Sequence, residues 1–181
     1  KIISVNVCGE QGLPAWGVCN LGSLNLSAFI DEKNIFDYES LSAVTKTAVR
    51  FLDNVIDAET YLFPQMEKTQ KNERRQGLGT MGLGDALIKL KIKYGSEESF
   101  PIIEKIYQTI RDAAYEASID LSREKGSFPK FEKEKYLKGK FISNLPEIIK
   151  NKIKKSGIRN AVILTQAPTG KISLIAGVTS G

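Results

Sequence analysis

Near the amino terminus, Asn6-Val7-Cys8-Gly9-Glu10 sets an amide, a thiol and a carboxylate at alternate positions. In an extended segment, a period of two turns all three to one side. Such a thiol is poorly suited to act as a thiolate nucleophile, because a neighbouring carboxylate raises its pKa. Hydrogen-atom chemistry meets no such objection. A thiyl radical is neutral, so Glu10 can stay ionised and accept a substrate hydroxyl proton while Asn6 holds a sugar by hydrogen bonds. The plainer reading is a cysteine serving as a small apolar residue in a Gly-containing loop.

The second thiol, Cys19, lies in VCNLGSLNL, and no histidine occurs anywhere in the chain. Without histidine a Ser-His-Asp or Cys-His hydrolase confined to these residues is excluded, and two cysteines alone make a poor zinc site. A structural disulfide is disfavoured where no secretion signal is visible, which leaves a redox role for Cys19 open. Ala167-Pro168-Thr169-Gly170-Lys171-Ile172-Ser173 follows the apolar run AVILT. If Thr169 to Ser173 open a helix, their free N–H groups and the positive end of the helix dipole favour an anion such as diphosphate; the alternative is a plain strand-to-helix turn. Two other glycine patterns fail. Gly77-Leu78-Gly79-Thr80-Met81-Gly82 matches a dinucleotide fingerprint but follows the polar KNERRQ instead of a strand, and Gly170-Lys171 lacks the first glycine and the Ser/Thr of a P-loop.

These groups need a scaffold, and 181 residues with 41% hydrophobic content can build one core. No stretch approaches the roughly 20 apolar residues of a membrane-spanning helix, so a soluble, cytoplasmic protein is expected. The net charge of +5 comes from lysines interspersed with glutamates, as in KFEKEKYLKGK, which reads as a solvated face and not a nucleic-acid surface. Apolar spacing predicts a helix over residues 40–61 capped by Ser40 and a longer one from residues 96–98, with Pro101 in its first turn, to a stop at Gly126. A short helix is expected over residues 85–90. Residues 1–30 read as loop-rich with one extended piece at 24–30, residues 65–76 as a loop or exposed helix end, and residues 127–157 as short helical pieces or a surface excursion. Residues 161–165 read as a strand buried on both faces.

Taken in order, NVCGE, VCNLGSLNL, RRQGLGTMGLGDALIKL and RNAVILTQAPTGKISLIAGVTSG resemble the large, catalytic chain of ribonucleotide reductases, over residues 6–181. The CGE form, the short gap from Cys8 to Cys19 and the RRxGLGxMGLxD pattern look most like the adenosylcobalamin-dependent, class II members. A class I large chain, fed by a separate radical-generating subunit, is the nearest alternative. The resemblance implies an α/β fold: part of a ten-stranded barrel with a central finger loop, residues 1–181 supplying that loop and part of the second half-barrel. It implies reduction of ribonucleoside di- or triphosphates to 2′-deoxyribonucleotides, with Cys8 as the thiyl radical that abstracts the 3′ hydrogen. Glu10 would take the 3′-hydroxyl proton, Asn6 would position the sugar, and Cys19 would be half of a reducing dithiol whose partner lies upstream. Pro168, Thr169, Gly170, Lys171, Ile172 and Ser173 would hold the substrate phosphates. Implied partners are the ribonucleotide, a dithiol reductant such as a thioredoxin-like protein, the remaining segments of the enzyme and a second copy of it; no membrane, nucleic acid or protein-bound metal is implied. Two positions depart from the family pattern: Lys171 replaces a small hydroxyl residue, and Val7 replaces a proline. The reading from another class is a non-catalytic nucleotide- or phosphate-binding α/β module with structural cysteines.

Overall fold

The computed structural model describes residues 2–180. A short antiparallel hairpin comes first, β1 (Ser4–Val5) against β2 (Gly12–Leu13), with Ser4 opposite Leu13 and Val5 opposite Gly12. Next is β3 (Asn20–Asn25), which pairs in parallel with β4 (Gln76–Met81), from Asn20 opposite Gln76 to Asn25 opposite Met81. Parallel neighbours need a crossover, and α1 (Tyr38–Ala58) with α2 (Pro64–Glu73) provides it. Residues 161–165 take the other edge of β4: Leu78 donates its N–H to Ile163 O at 2.9 Å, and Thr165 donates to Leu78 O at 3.1 Å. This second crossover runs through α3 (Leu83–Lys89), α4 (Ser99–Lys125), α5 (Lys133–Leu137), α6 (Lys140–Ser143) and α7 (Glu147–Ser156). The chain closes with α8 (Gly170–Ala176). β4 is thus the central strand of a parallel sheet, and the α/β class stands. Among the described residues the sheet does not close on itself.

The two long helices form as their apolar spacing predicts. α1 buries Leu41, Val49 and Leu52 against Ile106, Ile110, Ala114 and Leu121 of α4, the alanine letting the helices approach closely. The cap of α1 is not Ser40 but Asp37, whose carboxylate accepts the Ser40 N–H at 2.9 Å and the Ser40 hydroxyl at 2.6 Å. Such a cap stabilises a helix by about 1 kcal/mol. α4 starts at Ser99 and stops before Gly126, close to expectation.

Other local expectations fail for identifiable reasons. Residues 24–30 are not one extended piece: β3 ends at Asn25, whose side chain takes the Ser27 N–H at 3.1 Å and starts a 3-10 turn over Leu26–Phe29. Residues 65–76 form α2 and the start of β4, with Gln70 and Arg74 buried despite their polarity. The glycine-rich run is itself the central strand, where Thr165 and Leu21 side chains at Gly77 and the Thr165 backbone carbonyl at Gly79 come too close for a side chain at those two positions. Residues 127–157 do form the expected short helical pieces, but not a mere surface excursion, for Ile142, Leu145, Ile149 and Ile153 are buried. In 161–165 only Ile163 is buried, since this segment has a strand partner on one side alone.

Candidate functional site

The hairpin between β1 and β2 reverses over the predicted chemical residues. Asn6 and Gln11 face each other, Asn6 N–H donating to Gln11 O at 3.0 Å and Gln11 N–H to Asn6 Oδ1 at 3.0 Å. Gly9 N–H closes the turn on Asn6 O at 3.0 Å, and Gly9 has φ +79°, a conformation that favours glycine. The alternating, one-sided arrangement expected of an extended segment is therefore replaced by a turn. Val7 and Cys8 are exposed at its tip, and the Cys8 thiol is free and makes no hydrogen bond among the described residues. Asn6 is half-buried, with its carbonyl oxygen committed to the loop.

Glu10 goes the other way, into the protein. Both carboxylate oxygens are buried without a hydrogen-bond partner among the described residues. Its backbone carbonyl accepts the Thr165 hydroxyl at 2.8 Å. Gln11 Nε2 donates to Gln76 O at 3.3 Å, and Arg75, paired with Glu73 at 2.7 Å, donates to Gly12 O at 3.2 Å. The hairpin base is thus fastened to β4 and to residues 161–165, by contacts that span 63 to 155 residues of sequence. Gln11, Arg75, Gln76 and Thr165 were not among the sequence-predicted site residues. RRQ and AVILT contain them, but nothing in their local pattern marks them as a dock.

Cys19 lies beside Glu10, immediately before β3. Its thiol faces Gly77: a Cβ on that glycine would come within 3.2 Å of Cys19 Sγ and 2.5 Å of Thr165 Cγ2. The sulfur reaches Asn20 O at 3.7 Å, a weak contact. Burial pushes the Cys19 thiol up to about 11, and the Glu10 charge adds to the rise; Arg75 and a hydrogen bond from Gln11 act the other way. Two of the four predicted catalytic residues, Glu10 and Cys19, are therefore neighbours, while Cys8 stands at the hairpin tip and Asn6 at its base.

The predicted phosphate loop begins after residues 161–165. Pro168 is exposed, and Thr169 is buried in the left-handed region at φ 58°. Gly170 begins α8, so the expected turn and helix start are present, while the strand expected before them is reduced to extended chain with a single bridge from Leu164 to Leu78. The first-turn N–H groups of a helix have no intrahelical acceptor, and Lys171 and Ile172 are exposed beside them. Ser173 differs from its expected role as a ligand donor. Its hydroxyl is buried and donates to Gly170 O at 3.1 Å, so it braces the helix turn. A cleft of about 460 Å³ between the sheet and α4 is lined by Leu78, Thr80, Tyr107, Arg111, Thr165 and Gln166 among others, but by neither Cys8 nor residues 168–173. Among the described residues no group of three His, Cys, Asp or Glu could hold a metal ion, and no helix is long and apolar enough to cross a membrane.

Residues 1–181 match the family model described as ribonucleotide reductase, barrel domain. A vitamin B12-dependent ribonucleoside-diphosphate reductase of Thermoplasma acidophilum is 41% identical over 179 residues, covering 99% of this chain and 21% of the relative. One from Mycobacterium tuberculosis strain CDC 1551 / Oshkosh is 39% identical over 181 residues, 100% of this chain and 24% of the relative. A ribonucleoside-diphosphate reductase large chain of Neurospora crassa is 33% identical over 191 residues, 97% of this chain and 21% of the relative. The chain spans roughly a fifth to a quarter of the length of the curated relatives it matches.

Proposed function

Because this chain belongs to the ribonucleotide reductase barrel-domain family, we propose that it works as one part of an enzyme that reduces ribonucleotides to 2′-deoxyribonucleotides by radical chemistry. The observation that carries the reading is the hairpin: a free, exposed thiol at its tip, a buried and unpartnered carboxylate two residues on, and a second thiol beside that carboxylate. Cys8 as a thiyl radical would take the 3′ hydrogen of the ribose and later return a hydrogen to it. Glu10 has two free acceptor oxygens for the 3′-hydroxyl proton, and Asn6, with its oxygen committed to Gln11, keeps its N–H donors for the sugar. Cys19 would supply one of the two thiols that reduce the substrate intermediate. Residues 168–173 would hold the phosphates through the backbone N–H groups at the start of α8 and through Thr169 and Lys171.

The names of the relatives support a ribonucleoside diphosphate as substrate, and the B12-dependent enzymes, 39 and 41% identical over 99–100% of this chain, against 33% for a large chain over 97% and 37–38% for large subunits over only 72%, favour adenosylcobalamin over a radical-generating subunit. When bound, adenosylcobalamin supplies the one-electron oxidant for the Cys8 thiol. An exposed thiol with no hydrogen bond among the described residues suits that transfer. Residues 1–181 would be the finger loop and part of the second half-barrel. The remaining segments would cover the apolar side chains left exposed on the hairpin (Ile2, Ile3, Val5, Val7) and on α8 (Ile172, Leu174, Ile175). A dithiol protein of thioredoxin type would regenerate the thiols.

Replacing Cys8 by Ser in the full-length enzyme tests this function. Turnover should disappear while nucleotide affinity stays the same; retained turnover sinks the radical role. Dependence of wild-type turnover on added adenosylcobalamin separates the class II reading from the class I alternative.

A further inference from the structure

Three side-chain hydrogen bonds fasten the hairpin to the sheet among the described residues, all on its returning arm: Glu10 O accepts from the Thr165 hydroxyl at 2.8 Å, Gln76 O from Gln11 Nε2 at 3.3 Å and Gly12 O from Arg75 Nη1 at 3.2 Å. The Thr165 bond is the shortest and the one made to Glu10 itself. Thr165 has little freedom. Its N–H donates to Leu78 O at 3.1 Å, its carbonyl fills the space that a Cβ on Gly79 would need, and its Cγ2 lies 2.5 Å from where a Cβ on Gly77 would stand. Methyl and hydroxyl share one Cβ in staggered positions, so a methyl seated over Gly77 also fixes the direction of the hydroxyl. The glycines of GLGTM, whose spacing imitates a dinucleotide fingerprint, thus form the seat that aims Thr165 Oγ1 at Glu10 O.

The Glu10 carboxylate has no hydrogen-bond partner among the described residues, so its place is set through its main chain. Resting on the reading of Glu10 as the base for the 3′-hydroxyl proton, we infer that Thr165 is a positioning residue for Glu10, its hydroxyl fixing the main chain from which the carboxylate reaches the substrate. Proton transfer needs the acceptor oxygen within about 2.6–3.2 Å of the hydroxyl it serves, and a misplacement of about 1 Å is costly to the rate. Without the Thr165 hydroxyl the Glu10 carbonyl loses its donor, and the hairpin keeps only the two longer ties, on Gln11 and Gly12. Thr165 also leads, through Gln166 and Ala167, into residues 168–173. A role in holding that loop is distinguishable, because it would act on phosphate affinity, whereas a role on Glu10 acts on turnover alone.

The test compares Thr165→Val, which keeps the branched shape and the methyl over Gly77 but removes the hydroxyl, with Thr165→Ser, which keeps the hydroxyl. Both are made in the full-length enzyme and assayed at saturating substrate, well below their melting temperatures; Thr165→Ala replaces Thr165→Val should that variant not fold. Turnover should fall about tenfold in Thr165→Val, from one lost hydrogen bond and the carboxylate it displaces, while the Kd for a ribonucleoside diphosphate stays within about twofold. Thr165→Ser should recover turnover to within about threefold of wild type, since the bond to Glu10 O is kept. Wild-type turnover without the hydroxyl overturns the inference. So does a Kd that weakens by the same factor as turnover, which assigns Thr165 to the phosphate loop, or a Thr165→Ser variant as slow as Thr165→Val, which assigns it to packing. If instead Glu10→Gln keeps wild-type turnover, it is the base reading beneath it that fails.

Discussion

Replacing Asp53 by Ala removes the charge that joins the starts of the two strands under the hairpin. Asp53 is fully buried in α1 and accepts hydrogen bonds from Arg74 Nε at 2.8 Å, Asn160 Nδ2 at 2.9 Å and Arg159 Nε at 3.3 Å. Arg74 leads into β4, and Arg159 and Asn160 lead into residues 161–165. Arg74 also holds Asp57 through both terminal nitrogens, at 2.8 and 2.9 Å, and Asn160 Nδ2 reaches Arg74 O at 3.1 Å. Without Asp53, two guanidinium groups on residues only 3% and 9% exposed would share the half-exposed carboxylate of Asp57. Breaking a buried charge pair by deleting one partner costs about 3–5 kcal/mol, a large part of the ~5–15 kcal/mol that stabilises an ordinary domain. Hydrogen exchange in the full-length protein reads this locally. At 1.36 kcal/mol per factor of ten, amides of α1 and of residues 161–165 should exchange roughly 150- to 5,000-fold faster. Asp53→Asn, which keeps the shape and loses the charge, should fall between. Wild-type protection in Asp53→Ala would refute the argument that this network ties the strands together.

Three further outcomes follow from the same geometry. A methyl group on Gly79 would collide with the Thr165 backbone carbonyl, so Gly79→Ala should displace residues 161–165 and lower stability by about 1–3 kcal/mol, visible as a lower melting temperature. With its thiol near 11 against an ordinary 9.0, Cys19 should alkylate about tenfold faster per pH unit from pH 7 to 10, and a plateau below pH 9 would contradict its burial beside Glu10. The sign for stability is the usual one for a raised acid: the neutral thiol's contribution is complete below pH 9 and declines as pH climbs from 9 towards 11. Asp85, held below its ordinary range by hydrogen bonds from Thr179, accepts the Thr179 N–H at 2.5 Å. Its contribution is present above the ordinary carboxylate pKa and is lost as pH falls through the lowered value, so the Thr179 amide should lose exchange protection in acid and in Asp85→Asn at neutral pH.

What could be read from the sequence was mostly what is local. α1 and α4 announce themselves through apolar spacing, and the break at Gly126 through composition. Cys8, Glu10 and Cys19 stand out because a thiol beside a carboxylate is chemically odd. The failures share a cause: partners far away in the chain. GLGTM does not look like a buried strand because two of its five positions are glycine, and those glycines are required where Thr165 and Leu21 press on Gly77 and Thr165 on Gly79, leaving no room for a side chain at either. Arg74 sits at a polar helix end and would be solvated but for Asp53, 21 residues earlier. Ser173 carries a hydroxyl that looks free for a ligand until the turn around Gly170 takes it.

The hairpin also shows why the two thiols can serve different steps of one proposed reaction. Turn geometry at Gly9 holds Cys8 outward, where a substrate or an oxidant can reach it, while the Thr165, Gln11 and Arg75 contacts keep the base of the same loop inside. Glu10 sits between these regions and is chemically useful to both. Its buried, uncommitted oxygens are the proton acceptors proposed for the reaction, and its charge raises the Cys19 thiol. A neutral Cys19 is the form that can donate a hydrogen atom or a proton, so the carboxylate proposed as the base would also keep the proposed reducing thiol loaded.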